Sequence, residues 1–267
     1  MTRGIVIFAF NNEQIDYLSM AEWSTRNIHR HLDLPVAVIT DQSSIPKHYS
    51  FDRVIHTKAT DTHWRHFKDF GANATWYNGS RVNAYELSPW DHTLVLDADY
   101  VVASNQLGQL FEVDQDFLDH DCAIEVTGMN NFDENNRFGR HKMPMRWATV
   151  MMFRRSQTAQ LIFDSMQMIR QNWRHYIDLY GIPKKTYRND IALSIAQLIV
   201  NGHMLEIPSI PWNLVSVEAD HALTQLDTDV YRVDFKTADN KPKWLTLNHD
   251  FHAMGKKHLG DIVANTL

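Results

Sequence analysis

Apolar residues fall in short bursts separated by polar stretches. Gly4 to Phe10 (GIVIFAF) is almost continuously apolar and predicts a buried strand, closed by the turn residues Asn11 and Asn12. Glu13 to Leu32 predicts a helix, with Ile15, Leu18, Met20, Ala21, Ile28 and Leu32 on an imperfect apolar face. Pro35 to Thr40 predicts a second strand ending at Asp41, and Arg53 to His56 a third, shorter one. Ser80 to Leu87 predicts a short helix stopped before Pro89. Thr93 to Val102 predicts a further buried strand. This β-α-β-β-α-β order implies an α/β fold with a parallel sheet wrapped by helices.

The second half continues the pattern less regularly. Asp121 to Thr127 and Ala148 to Phe153 are strand candidates, with a polar, irregular stretch from Gly128 to Trp147 between them. Ser156 is placed to cap a long helix to Tyr180, stopped by Gly181, with Ala159, Ile162, Phe163, Met166, Ile169, Trp173 and Ile177 on one core face. Asn189 or Asp190 opens another helix to Asn201, with Gly202 ending it. The tail from Lys243 to Leu267 contains the His-rich run His249 to His258.

Composition narrows the class. The chain has 267 residues, 44% hydrophobic and 22% charged, with a net charge of −6. No Pro/Gly/Ser-rich linker or internal repeat divides it, so one domain is expected. The negative charge argues against general nucleic-acid affinity. A single cysteine, Cys122, allows no internal disulfide and fits a reducing compartment. No leader or spanning run is read at the sequence level, so a soluble cytoplasmic protein with no membrane association is expected, of viral or bacterial origin.

The chemistry concentrates at Asp97-Ala98-Asp99, where the apolar strand runs into two carboxylates. Asp also starts turns, and that reading competes. Yet two such charges repel unless a cation joins them. Hard cations such as Mg²⁺ and Mn²⁺ take carboxylate oxygens and substrate phosphates. In open α/β sheets the ligand crevice lies beyond the carboxyl ends of the strands, where this pair falls.

A strand-ending Asp-x-Asp, a later Asp-initiated helix and a C-terminal His-x-x-Gly before lysine together resemble the GT-A nucleotide-sugar glycosyltransferases. The likeness is to glycosyltransferase family 8, the glycogenin-like and galactosyltransferase-like group, and it spans most of the chain. The resemblance implies a single GT-A, Rossmann-like domain, with residues 1–103 as the nucleotide-binding half and 104–267 as the acceptor half and metal-binding tail. It implies Mn²⁺ (or Mg²⁺) held by Asp97, Asp99 and His252, with His249 as the alternative histidine. It implies a nucleotide-sugar donor, UDP-linked, whose phosphates meet Lys256 or Lys257. The family's Lys-Pro-Trp ending is absent, since Lys257 is followed by His258 and Leu259.

Further positions follow from the same likeness. Phe10 and Asn11 border the nucleoside, Asp41 reaches the base or ribose, and Arg81 reaches the donor sugar or phosphate. Ordinary turn chemistry competes at Asn11 and Asp41, and a solvated helix face at Arg81. Tyr17 stacks on a base or packs within its helix. Asp190 either caps its helix or works near the anomeric carbon, as orienter, base or stabiliser of positive charge. Glu125 and Glu218 have no comparable context. The implied reaction is metal-dependent glycosyl transfer to a hydroxyl, with retention. Gly255 gives the tail freedom to close as a lid over a diphosphate.

Two other classes compete. A nucleotidyltransferase also pairs aspartates with an α/β sheet, but its Gly-rich basic loop is missing at Asn11-Asn12-Glu13. A nucleic-acid-binding module would use the mixed basic and aromatic residues Arg137, Phe138, Arg140, His141, Lys142, Arg146 and Trp147, with Lys184, Lys185, Tyr187 and Arg188. The classes merge if the acceptor is a hydroxymethylated base in phage DNA; otherwise it is a glycan.

Overall fold

The computed structural model describes residues 1–43, 45–59, 62–77, 79–128, 136–183, 186–204 and 206–267; Lys184 and Lys185 of the basic segment lie outside these. Along the chain run β1 (Arg3–Phe8), α1 (Tyr17–Leu32), β2 (Val36–Thr40), β3 (Arg53–His56), β4 (Thr62–Phe67), β5 (Ala72–Tyr77), a 3₁₀ turn (Ser80–Asn83), α2 (Ala84–Leu87), β6 (His92–Asp97) and β7 (Tyr100–Val101). A 3₁₀ segment (Gln106–Glu112) leads to β8 (Phe117–His120), β9 (Ala123–Glu125), β10 (Arg137–Phe138), β11 (Met143–Pro144) and β12 (Trp147–Arg154). There follow α3 (Gln157–Gln171), α4 (Trp173–Tyr180), α5 (Asn189–Val200), β13 (Leu214–Val217), β14 (Ala222–Asp227), β15 (Val230–Lys236), β16 (Pro242–Leu247), β17 (Phe251–Ala253) and α6 (Lys256–Thr266).

The central sheet has the order β3-β2-β1-β6-β12-β8. β3, β2, β1 and β6 are parallel, while β12 runs antiparallel to β6 and to β8. Helices cover both faces, which explains the continuous apolar strands. Ile5, Ile7, Leu94 and Leu96 pack on one side with Trp23 and Ile28 of α1. Val6 and Val95 pack on the other with Phe163 of α3 and Ile195 of α5. Each such side chain contributes about 1.5–3 kcal/mol on burial.

A second sheet, β7-β17-β13-β9, stands at the carboxyl end of β6. The antiparallel sheet β14-β15-β16 and the two-stranded pairs β4-β5 and β10-β11 complete the strands. The segments on either side of residue 103 share both larger sheets, through β12 beside β6 and β17 beside β7. No helix is long and apolar enough to cross a membrane among the described residues.

Several boundaries differ from expectation. The first helix begins at Tyr17, not Glu13, because Asp16 caps it by accepting from the Ser19 amide at 3.1 Å. The expected helix from Ser156 to Tyr180 is two helices, broken at Asn172, whose side chain donates to the Met168 carbonyl at 2.9 Å. Ser156 does cap α3, accepting from the Ala159 amide. Gly181 closes α4 at φ 62°, where an added Cβ would lie 2.8 Å from that of Arg140. The expected strand from Thr93 to Val102 bends after Asp97, and β7 leaves the central sheet.

Candidate functional site

Register builds the site. Asp97 ends β6 opposite Phe8, the last residue of β1. The chain then turns through Ala98 and Asp99 into β7, and Tyr100 pairs with His252 of β17. The Ala253 amide donates to the Asp99 carbonyl at 3.0 Å. His252 is thus carried to the aspartates by a strand pairing rather than by a loop. Its Nε2 lies 3.3 Å from Asp99 Oδ2 and 3.9 Å from Asp97 Oδ2. One ligand atom from each of Asp97, Asp99 and His252 lies within 4.8 Å of the others. Two carboxylates and an imidazole suit a divalent ion that accepts nitrogen as well as oxygen.

Two cations meet the same carboxylates. Arg81 contacts Asp97 and donates to the Ala148 carbonyl at 3.0 Å. Lys256 contacts Asp99 and donates to the Ala253 carbonyl at 3.0 Å. Burial alone would raise the Asp99 carboxyl, but Lys256 and His252 hold it well below the usual range. Burial lowers the Arg81 guanidinium, against the pull of Asp190 and Asp99.

Asp190 lines the same cavity. Its Oδ1 accepts from the Ala148 amide at 2.9 Å and its Oδ2 from Arg188 at 2.9 Å. The carboxylate therefore does not cap its own helix: Arg188 occupies the cap position, and no side-chain bond forms there. Burial pushes the Asp190 carboxyl up, and Arg188, the Ala148 amide and Arg81 more than offset it, leaving it lowered.

These groups share a cavity of about 380 Å³. Its aromatic wall includes Phe8, Phe10, Tyr17, Trp76, Tyr77 and Trp147. Arg65 and the acids Glu125 and Glu218 also line it. Burial, then Glu125, raises the Glu218 carboxyl. A shallower depression of about 570 Å³ at Asp121, Arg137 and Glu206 holds no ligating triad among the described residues.

The expected positions separate into two groups. Asp97, Asp99, His252, Asp190, Arg81, Lys256 and Phe10 line the cavity. Asn11, Asp41, Lys257 and His249 do not. Asn11 accepts from the Leu18 amide and donates to Asp16, so it builds the start of α1. Asp41 is exposed and accepts only from its neighbour Gln42 among the described residues. Lys257 is exposed, with its amide on Asp69. His249 Nδ1 lies 3.0 Å from the Asp250 carbonyl.

The tail is packed against the core in this structure. Gly255 has an ordinary φ of −80°, and Leu259, Ile262 and Val263 of the following helix are buried. Among the described residues the basic ones divide: Arg137, Arg140, His141 and Lys142 are exposed, whereas others are engaged inside the protein. Arg146 is buried on Asp119, Phe138 is buried, and Arg188 is bound to Asp190.

Sequence reasoning missed Arg65. It sits on the β4-β5 hairpin, 5.0 Å from the Trp76 ring and 5.5 Å from that of Phe67. The alternating aromatic and polar residues on both sides of Gly71 were the available signal.

No protein-family model matches the chain, and no curated protein matches it. Solved structures similar to it include the glycosyltransferase GlyE of Streptococcus pneumoniae TIGR4, at 15% identity over 79% of this chain, with a TM-score of 0.45. This chain spans under half the length of that protein, 46%. A galactosyltransferase, LgtC, in complex with donor and acceptor sugar analogues is 13% identical over 72% of this chain and 70% of its own, with a TM-score of 0.46. The bifunctional glycosyltransferase WbbM is 13% identical over 82% of this chain and 40% of its own, with a TM-score of 0.45.

Proposed function

We propose that this protein is a metal-dependent glycosyltransferase of the GT-A type that moves a sugar from a nucleotide-sugar to a hydroxyl acceptor. One observation carries the reading: Asp97, Asp99 and His252 bring three ligand atoms within 4.8 Å of one another at the carboxyl end of a parallel sheet, beside Arg81 and Lys256. A bound Mn²⁺ or Mg²⁺ supplies Lewis acidity for a leaving diphosphate.

The chain's own residues supply the rest. Asp97, Asp99 and His252 would hold the metal. With those carboxylates given to a metal, Lys256 and Arg81 would be left to meet donor oxygens and stabilise the charge that develops as the glycosyl bond breaks. The aromatic wall at Phe10, Tyr17 and Tyr77 excludes water and receives a nucleoside, uridine in the family resemblance. Asp190, ionised and fixed by two hydrogen bonds, faces the reacting carbon and favours positive charge there. Retention at that carbon is the outcome the resemblance implies.

A DNA acceptor is not part of this reading: the net charge of −6 argues against general nucleic-acid affinity, and Arg146 is buried on Asp119. The test is a panel of nucleotide-sugars with Mn²⁺, read by release of nucleoside diphosphate. Release that stops with chelator supports the proposal. Indifference to chelator, or no release from any donor, removes it.

A further inference from the structure

Every cation lining the cavity but one is matched by a carboxylate among the described residues. Arg81 is on Asp97, Lys256 and His252 are on Asp99, and Arg188 is on Asp190. Arg65 has no carboxylate within ion-pair reach among the described residues. It is held between the Trp76 and Phe67 rings instead. Aromatic faces steady a guanidinium but leave its N–H donors free for a planar acceptor.

The hairpin that carries Arg65 is firmly attached. Glu13 accepts from the Thr75 amide at 2.8 Å and its hydroxyl at 2.7 Å, and Asn12 donates to the Thr75 carbonyl at 2.8 Å. Arg65 lies opposite Ala74, and Trp76 is its diagonal neighbour across the hairpin. Phe67 and Ala74 are buried beneath. The guanidinium is therefore presented to the cavity by a fixed support rather than by a free loop.

Arg188 faces the same cavity from the start of α5. Burial and then the charge of Arg188 depress the Arg65 guanidinium, so the two cations oppose each other. An anion shared by them would remove that repulsion. The donor diphosphate is matched by the metal ligands, Lys256 and Arg81, which leaves Arg65, with the Asp190-paired Arg188 facing the same cavity, for a second anionic group.

Resting on the glycosyltransferase reading, we propose that Arg65 and Arg188 bind an oxyanion of the acceptor, so that the enzyme glycosylates a sugar bearing a phosphate or carboxylate. Trp76, beneath the Arg65 guanidinium, gives that position an apolar side. Arg65 thereby sets specificity.

The test is calorimetric titration of the full chain, preloaded with UDP and Mn²⁺, with glucose 6-phosphate, glucuronate and glucose. At least one anionic sugar should bind about tenfold or more tighter than glucose, and Arg65→Gln should erase about 10–100-fold of that preference, the scale of a charge-assisted hydrogen bond. Arg65→Lys keeps the charge and loses the planar fork, so it should recover only part. The two anionic sugars tell phosphate from carboxylate. Equal binding of all three sugars overturns the proposal, as does an unchanged preference in Arg65→Gln. If UDP and Mn²⁺ displace the anionic sugar, the arginine pair serves the diphosphate, and the proposal also fails. If Arg65→Gln does not fold, a full-strength preference in Arg65→Lys counts against a guanidinium site. This readout needs no turnover, so it fails separately from the glycosyltransferase reading, which nucleoside diphosphate release decides.

Discussion

The Asp190 carboxylate accepts the Ala148 amide at 2.9 Å, and the carbonyl of the same Ala148 accepts Arg81 at 3.0 Å. One residue of β12 therefore joins the Asp190 carboxylate to the arginine that meets Asp97. The start of α5 is tied to the sheet, not merely packed against it. This fixes how Asp190→Asn should behave.

An asparagine at 190 still accepts the Ala148 amide but removes the charge facing Arg188 and Arg81. Stability should drop by about 1 kcal/mol, a few degrees in Tm, because Arg188 is partly exposed and its ion pair is screened. A charge-dependent role at the reacting carbon predicts a kcat loss of ~10²–10⁴-fold with donor KM much less affected. Turnover and thermal melting on the same preparation check both. Near-normal kcat would leave Asp190 as the tie between helix and sheet and nothing more.

The metal reading sorts the histidines. His252→Ala should weaken Mn²⁺ binding by roughly 10–100-fold or more, the scale for lost metal-site partners. His249→Ala should leave it unchanged, since His249 does not line the cavity. Asp97→Asn and Asp99→Asn should each abolish chelator-sensitive turnover. Asp99→Asn should also cost stability, because Lys256 is left buried without its counter-charge. Electron paramagnetic resonance of added Mn²⁺ reads the affinities directly. Equal loss in both histidine variants would mean the tail assignment is wrong.

Much of the frame was legible in the sequence because both sheet faces are covered. Strands such as β1 and β6 are then apolar throughout, and their carboxyl ends mark a crevice. Other elements were hidden for a physical reason. β14 to β16 bury only Leu223, Tyr231, Val233 and Leu247, with polar residues between, a weak two-residue alternation. Helical spacing separates the two lysines: Lys256 shares its face with the buried Leu259 and Val263, whereas Lys257 points away. Asp41 and Asp97 both fall at the carboxyl ends of parallel strands, and only Asp97 has a second carboxylate two residues on. The further difference is that the chain after β6 is drawn into β7 and so to His252, whereas Asp41 stays exposed.

Gly4 gives a purely structural test. It lies in β1, where an added Cβ would sit 2.6 Å from Trp90 Nε1. The indole is buried and covered by Arg53, 4.9 Å from its ring, so it has little room to retreat. Gly4→Ala should therefore destabilise by about 1–3 kcal/mol through overpacking. Melting should fall by roughly 2–10 °C, while turnover per folded molecule is retained. An unchanged Tm would show that Trp90 can move aside.

Acid stability should be governed by two buried histidines. His92 is 1% exposed, with Nε2 2.8 Å from Met152 Sδ, and burial followed by Arg154 and Arg3 pushes it down to about 4. His120 is fully buried, donates from Nδ1 to the Trp212 carbonyl at 2.9 Å, and is likewise pushed down to about 4 by burial. In the unfolded chain both titrate near 6.5. Between those values the unfolded state takes up protons that the folded state refuses. Stability is therefore full above about pH 6.5 and is lost as pH falls toward 4, by on the order of 3 kcal/mol per histidine. Asp119 works in the opposite direction. Burial raises it to about 6 despite Arg146 and Gln197, so the folded state holds a proton there that the unfolded chain releases down to 3.8. Its contribution grows as pH falls through the same window and offsets about one histidine. His120→Asn keeps a side-chain donor but cannot protonate. Urea unfolding at pH 7.5, 5.5 and 4.5 should show a shallower loss for this variant than for the native chain. Parallel curves would mean that His120 is not held neutral in the folded protein.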